Sequence, residues 1–231
     1  MLQDISKLTI VTIAYTYDSK LENTYHSIEY FLSQGAKWIL VVHECSDMLA
    51  AYKRHTVICG VDQGLYNALN IGIAEVQSQY FALLHSGDTV ISQTNFLKAF
   101  SLFQPNIDLV LGGSQIGKRS HLSKMWRPWM IDFFVQPPHL PIFYRSKTCK
   151  GFSYSEKINV IADFYYLRDL FFIKKAKYVH SELVYVRMVN DGLTTSGIKS
   201  IYLVTRSFAK KEGLIGWLKA PFRLAIKMII R

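Results

Sequence analysis

Between residues 8 and 113 the chain switches period repeatedly, from short apolar runs to stretches whose apolar residues recur every three or four positions. The runs "LTIVTIAY" (8–15), "AKWILVVHE" (36–44), "HTVICG" (55–60), "YFALLH" (80–85) and "DLVLGG" (108–113) have the continuous, β-rich character of buried strands. Between them, residues 19–35, 64–77 and 92–103 have helical spacing; the first ends at Gly35, and the second sets Leu65, Leu69 and Ile73 on one face. Parallel strands need a crossover, which a helix supplies, so this alternation predicts an α/β fold with a mostly parallel sheet and helices on both faces. Ligands in such sheets sit beyond the carboxyl ends of the strands. The opening element order therefore already says where to look for chemistry.

After residue 113 the pattern loosens. The stretch "KRSHLSKMWRPWMIDFFVQPPHLPIFYRS" (118–146) is aromatic, basic and rich in proline, which predicts loops and short strands around a cleft. A helix over 162–174 and a strand over 178–189 follow. At 231 residues, half of them hydrophobic, the chain can bury one sizeable core, read here as a domain over 1–207 with a tail over 208–231. Cys45, Cys59 and Cys149 are odd in number and show no CxxC spacing, so free thiols in a reducing compartment are expected, without a disulfide framework or a zinc site. No apolar run approaches the ~20 residues of a membrane span and no cleavage-site pattern follows the start, so a cytoplasmic location is expected.

Three acids sit where the alternation makes them informative. Asp88 follows the fourth strand beside Ser86 and Gly87; it is either a turn residue or a ligand for a divalent cation with space beside it for a diphosphate. Asp62 precedes the helix that starts near Gly64, and is either its N-cap or a hydrogen-bond acceptor for a base or ribose. Asp163 opens "DFYYLRDL", as a first-turn acid favoured by the helix dipole or as a proton acceptor. His139, between Pro138 and Pro141, is a packing residue or lines an acceptor or metal site. Trp126 and Trp129 are core aromatics or sugar-stacking rings, and His180 is read as structural.

The stretch from Asp62 to Asp88, "DQGLYNALNIGIAEVQSQYFALLHSGD", resembles family 2 glycosyltransferases of the GT-A fold, most closely the bacterial branch that builds capsule, O-antigen and exopolysaccharide chains. The resemblance rests on Asp62, Gly64, Leu65, Tyr66, Asn67, Ala68, Leu69, Asn70 and Gly72, followed by a strand ending in Ser86, Gly87 and Asp88 in place of a full DxD motif. Later segments are similar in order, namely "PPHLPIFYRS", "VIADFYYLRDL" and "VYVRMVNDGLTTSG". It implies an inverting transferase that takes a sugar from a nucleotide sugar, a UDP-sugar, with Mn²⁺ or Mg²⁺. Thr12, Ala14, Tyr15, Glu44, Asn67, Asn70, Ser86 and Gly87 would border the donor. Asp62 would hold the nucleoside, Asp88 the metal with His139 as a further candidate ligand, and Asp163 would be the base. Three departures stand out: His43 and Glu44 replace an acid common after the second strand, Ser86 replaces the first acid of the metal motif, and Ile71 replaces a frequent basic residue. Lys118, Arg119, Lys124 and Arg127 are alternative sources of positive charge toward phosphate.

Charge separates the halves. The first hundred residues carry six basic and nine acidic side chains, and the remainder carries 21 and eight. Nucleic acid, an anionic membrane and a phosphorylated substrate all suit such a basic half. No nucleic-acid module accompanies the charge, so no nucleic-acid partner is expected, and the nucleotidyltransferase alternative lacks a Gly-rich loop with Arg and Lys after the first strand. In the tail, Lys219, Arg223, Lys227 and Arg231 recur every four residues beside Trp217, Phe222, Ile226 and Ile229. Such a helix suits an anionic membrane surface, or else the domain's own core or a partner subunit. A membrane-bound tail fits the lipid-linked saccharide acceptor that the resemblance implies.

Overall fold

The computed structural model describes residues 3–60, 62–123, 126–133, 137, 140–157 and 161–189, with 206, 213–215 and 218 beyond them. Its elements are β1 (Leu8–Ala14), α1 (Ser19–Ser33), β2 (Lys37–Val42), β3 (Thr56–Cys59), α2 (Leu65–Ala74), β4 (Tyr80–Leu83), β5 (Thr89–Val90), α3 (Gln93–Phe100), β6 (Leu109–Ile116), β7 (Arg119–Leu122), β8 (Ile142–Arg145), α4 (Ser146–Cys149), α5 (Ala162–Phe172) and β9 (Tyr178–Met188). They form one nine-stranded sheet in the order β3-β2-β1-β4-β8-β6-β9-β5, with β7 paired to β6. The first four strands in that order are parallel. Beyond β4 the sheet turns mixed, because β8 is antiparallel to both β4 and β6 while β6 and β9 are parallel.

Local chemistry explains the boundaries. Asp18 caps α1 by accepting the Leu21 N–H at 3.0 Å, and α1 ends in a Schellman turn, with Gly35 N–H to Leu32 O at 3.1 Å and Ala36 N–H to Phe31 O at 3.0 Å around a positive φ at Gly35. Ser92 caps α3 through the Asn95 N–H. Alternation along β1 sends Val11 and Ile13 into a core shared with α2 and α5, and Leu8 and Ile10 into one shared with α1 and α3. Helix α2 lies close on the sheet because Gly72 has no side chain; a Cβ there would meet a Val11 methyl at 2.6 Å. Its buried face is Tyr66, Ala68, Leu69 and Gly72. Leu65, expected on that face, is 45% exposed in the first turn.

One expectation is corrected outright. Cys45 and Cys59 are joined in a disulfide with their Cα atoms 5.4 Å apart, and only Cys149, which is buried, is free. A separation of 14 residues carries no pairing signal in sequence; the parallel register does, since it sets Cys59 beside Val42 and so brings it to the loop that holds Cys45. No helix among the described residues is long and apolar enough to cross a membrane. The amphipathic pattern assigned to 208–231 falls largely outside the described residues; Leu214, Ile215 and Leu218 are exposed.

The bend between β6 and β9 supplies a stability test. A Cβ on Gly112 would lie 2.3 Å from the Tyr185 hydroxyl oxygen and 2.4 Å from a ring carbon; Tyr185 is buried and donates its hydroxyl to Pro141 O at 2.7 Å. Gly112→Ala should therefore destabilise the fold by about 3 kcal/mol through overpacking and strain on that hydrogen bond. In a thermal melt this is a drop of roughly 6–12 °C for a domain of this size, and an unchanged melting temperature would refute the packing.

Candidate functional site

Parallel pairing sets the carboxyl ends of β3, β2, β1 and β4 along one edge of the sheet. The ladder runs on past the strands: His43 and Glu44 N–H donate to Ala14 and Tyr15 O (3.1 and 2.8 Å), and Leu84 and Ser86 N–H to Val11 and Ile13 O (3.0 and 2.9 Å). Asp62 follows β3 and Asp88 follows β4. Three strand spacings separate those ends, about 14 Å at ~4.8 Å each, a span comparable to an extended nucleoside diphosphate.

The Asp62 end is the better defined. The Asp62 side chain is 5% exposed, and its Oδ2 lies 3.3 Å from His43 Nδ1 and accepts the Gly64 N–H at 3.2 Å. Its Oδ1 is buried and has no hydrogen-bond partner among the described residues. A buried acceptor without a donor is costly, and the economical explanation is a ligand donor that fills the place. Asp62 is not the helix cap: that position is Gly64, with φ 115° and no side-chain cap bond. Tyr15, 66% exposed, stacks on His43 with ring centroids 5.0 Å apart, and its hydroxyl bonds Glu44, which raises the phenol above its ordinary range. His43 and Glu44, departures from the resembled pattern, thus build one wall of this subsite.

At the β4 end, the turn Ser86–Gly87–Asp88 is held from α1. Thr24 Oγ1 accepts the Gly87 N–H at 2.9 Å and donates to Asp88 O at 2.8 Å, and Gly87 takes φ 94°. Asp88 is 3% exposed, and its Oδ1 accepts the Val189 N–H at 2.9 Å. A hard carboxylate at this place suits Mg²⁺ or Mn²⁺. The described residues contain no group of three or more His, Cys, Asp or Glu able to enclose an ion. They fit a cation that takes one protein carboxylate and completes its shell with oxygens of a bound diphosphate and water. His139 lies outside the described residues.

Asp163 lies in the first turn of α5, without a side-chain cap on that helix. Tyr66, from the first turn of α2, points its hydroxyl at Asp163 Oδ1 at 3.5 Å. Burial and then the Asp163 charge push the Tyr66 phenol far above its usual range, so it stays a neutral donor. Tyr66 stacks on Tyr154 (5.6 Å) and Tyr154 on Tyr166 (4.2 Å), and burial also raises Tyr144, Tyr154 and Tyr166. Asp163 therefore stands on a wall of neutral phenols. Asp62 and Asp163 share a neighbourhood through the opening turn of α2.

Other expected residues make specific contacts within the protein. Thr12 is fully buried: alternation points it away from α2, and its Oγ1 accepts the Trp38 indole N–H at 2.9 Å, so only its backbone can border a ligand. Asn67 and Asn70 form a latch. Asn70 Nδ2 donates to Tyr154 O and to Glu156 Oε1 (both 2.9 Å), Tyr154 N–H returns to Asn70 Oδ1 at 2.8 Å, and Asn67 Nδ2 reaches Glu156 Oε1 at 3.0 Å. These amides hold the exposed Glu156 carboxyl below its ordinary pKa. Trp126 is core, whereas Trp129 is 58% exposed. His180 is held between Ser123 and Arg127, as a structural residue would be. Lys118 and Arg119 are exposed at the β6–β7 hairpin, Arg127 Nη1 donates to Trp126 O, and Lys124 lies outside the described residues. Glu156, Thr24, Val189 and the Tyr66–Asp163 contact were not foreseen; only the latter has a sequence signal, in the motif tyrosine itself. A cavity of about 800 Å³ lined by Thr9, Glu29, Trp38, Arg54 and His55 opens at the opposite, amino end of β1 and β2, away from these carboxylates.

No family model matches the chain, and no curated protein matches it. Solved structures do. The mannosyltransferase PcManGT from Pyrobaculum calidifontis, in complex with GDP-Man and Mn²⁺, aligns with a TM-score of 0.64 at 11% identity over 96% of this chain and 75% of its own. Glucosyl-3-phosphoglycerate synthase from Mycobacterium tuberculosis, with Mn²⁺, UDP and phosphoglyceric acid, aligns at 0.62 and 15% identity over 91% and 81%. S. aureus TarS 1-349 in complex with UDP aligns at 0.60 and 11% identity over 87% of this chain and 65% of that one, just under two thirds of its length. At such identities it is the path of the backbone that is shared, and the chain has the GT-A fold of glycosyltransferases.

Proposed function

We propose that the chain is an inverting, metal-dependent glycosyltransferase that moves a sugar from a nucleotide sugar to a hydroxyl acceptor. The observation that carries this reading is the pair of buried carboxylates at strand ends on one edge, Asp62 with an unpartnered oxygen and Asp88 fixed by its turn. The neighbours of the same fold, bound to GDP-Man or UDP with Mn²⁺, support it. Uracil offers one N–H between two carbonyls, which matches the single vacant acceptor on Asp62, so the donor is a UDP-sugar. Tyr15 and His43 form the stacked wall beside the base.

The reaction needs little else from the protein. Asp163 takes the proton of the acceptor hydroxyl as its oxygen attacks the anomeric carbon from the face opposite the diphosphate. Tyr66 orients the Asp163 carboxylate through its neutral hydroxyl. A cation held by Asp88 would neutralise charge on the departing diphosphate. The acceptor we propose is a lipid-linked saccharide of bacterial surface polysaccharide synthesis, met at the inner face of the cytoplasmic membrane. The supporting observation is the four-residue repeat of Lys219, Arg223, Lys227 and Arg231.

Asp88→Asn keeps the acceptor for the Val189 N–H and removes the charge. Calorimetric titration with UDP should then show no gain in affinity from Mn²⁺, and transfer should be abolished; an undiminished metal effect would remove Asp88 from this role. Asp163→Asn should lower kcat by ~10² or more with UDP affinity nearly unchanged, whereas full activity would leave Asp163 a first-turn helix acid. Deleting 208–231 should abolish cosedimentation with anionic vesicles and spare transfer to a soluble acceptor, because roughly 1 kcal/mol per surface cation is lost with the stripe. A truncated chain that binds vesicles as well as the full one would refute the tail's role.

A further inference from the structure

A covalent bridge joins the two strand ends that build the Asp62 side of the crevice. Cys59 closes β3 opposite Val42 of β2, and Cys45 stands three residues beyond Val42 on the other arm. The Gly60 N–H donates to Val42 O at 3.0 Å, and a Cβ on Gly60 would lie 3.1 Å from Cys45 Sγ, so the bridge rests against the backbone that leads directly to Asp62. On the opposite arm His43, two residues before Cys45, meets Asp62 Oδ2 at 3.3 Å, and Glu44 engages the Tyr15 hydroxyl. Strand β3 is the edge of the sheet, four residues long, with none of them buried. Val57, Ile58 and Cys59 pack against the two cores while only partly buried, and the ladder to β2 and the bridge add to what fixes the strand's end. Cys45 is exposed, which makes the bridge reachable by an attacking thiolate.

We propose that Cys45 and Cys59 form a reversible redox site whose co-substrate is a dithiol reductant, and whose oxidised state holds His43 and Asp62 in register for the nucleotide; this rests on the donor-binding reading above. One thiolate of the reductant attacks Cys45 Sγ, and the S–S electron pair leaves on Cys59 Sγ, which takes a proton. The second thiol then displaces Cys45, giving two protein thiols and one reductant disulfide, a transfer of two electrons and two protons. Reduction frees the β3 end from the His43 arm, and the fraction of molecules with Asp62 correctly placed falls. Apparent affinity falls by the same factor. Catalytic residues on α5 are not attached to this bridge, so the effect belongs to donor binding and not to the chemical step.

The test uses the full chain, untreated and after dithiothreitol, titrated with UDP and Mn²⁺ by calorimetry while circular dichroism follows the fold. The Kd for UDP should rise roughly tenfold on reduction and recover on reoxidation, and C45S/C59S should show the weak value in both conditions. Alkylation under denaturing conditions should find one thiol before reduction, Cys149, and all three after. Equal Kd values for the oxidised and reduced folded chain overturn the proposal alone, as do three thiols in the unreduced protein or unfolding on reduction, which would make the bridge a plain staple. No UDP binding in either state overturns the nucleotide reading first and this proposal with it.

Discussion

The site depends on β1 being paired on both sides by parallel neighbours. Leu8 to Ile13 are buried without exception, and the Leu8–Ala14 ladder meets β2 on one side and β4 on the other. A parallel ladder satisfies every backbone group of a strand that water cannot reach, and it also forces neighbouring carboxyl ends to the same edge. The loops that leave this edge are held by continuing bonds from His43, Glu44, Leu84 and Ser86 back to β1, so they are extensions of the frame. A donor that lies along the edge therefore meets groups already in place, and the ordering cost of binding is reduced before the ligand arrives.

The two carboxylates of the donor side sit in unlike surroundings. The Asp88 carboxylate accepts the Val189 N–H just past β9, and Thr24 holds its turn through the backbone oxygen, which fixes the side chain's direction. Asp62 spends one oxygen on His43 and Gly64 and leaves the other buried and empty. The first arrangement suits a cation, which needs orientation and charge; the second suits a neutral N–H donor, which needs a single lone pair in a dry place. Asp163 differs again, partly exposed on a floor of phenols that burial keeps neutral. The Tyr66 hydroxyl, a neutral donor, orients one of its oxygens.

Element order was legible because periodicity reports burial, and burial is what parallel strands and crossover helices share. Strand ends and the positions of Asp62, Asp88 and Asp163 followed from it. What could not be read depends on contacts between distant segments. The Cys45–Cys59 bridge needs the β2–β3 register, and the burial of Thr12 needs the β1–β2 register, which sets Trp38 opposite Ile10, two residues away on the same face, where its indole reaches the Thr12 hydroxyl. Leu65 was placed on the buried face by spacing alone, but a first-turn residue can overhang the neighbouring strands, and Tyr66 holds the buried place there. The antiparallel insertion of β8 between β4 and β6 falls in the proline- and aromatic-rich stretch, where short strands are expected but no period fixes their direction or neighbours.

The motif that carried the resemblance divides its labour in a way the linear pattern conceals. Gly72, Ala68 and Leu69 bring α2 down on β1 and β2, while Asp62 and Tyr66 face the crevice. The amides of Asn67 and Asn70 grip Tyr154 and Glu156, in the stretch of sequence before α5. Five residues after Glu156 that segment reaches Ile161, the N-cap of α5, and then Asp163. The asparagines thus tie the helix that follows Asp62 to the segment that precedes Asp163 in sequence. A latch of four hydrogen bonds across 84 to 89 residues of sequence couples α2 to the Tyr154–Glu156 segment, and on the proposed roles of Asp62 and Asp163 this would help to set the spacing of donor and proton acceptor before either substrate binds.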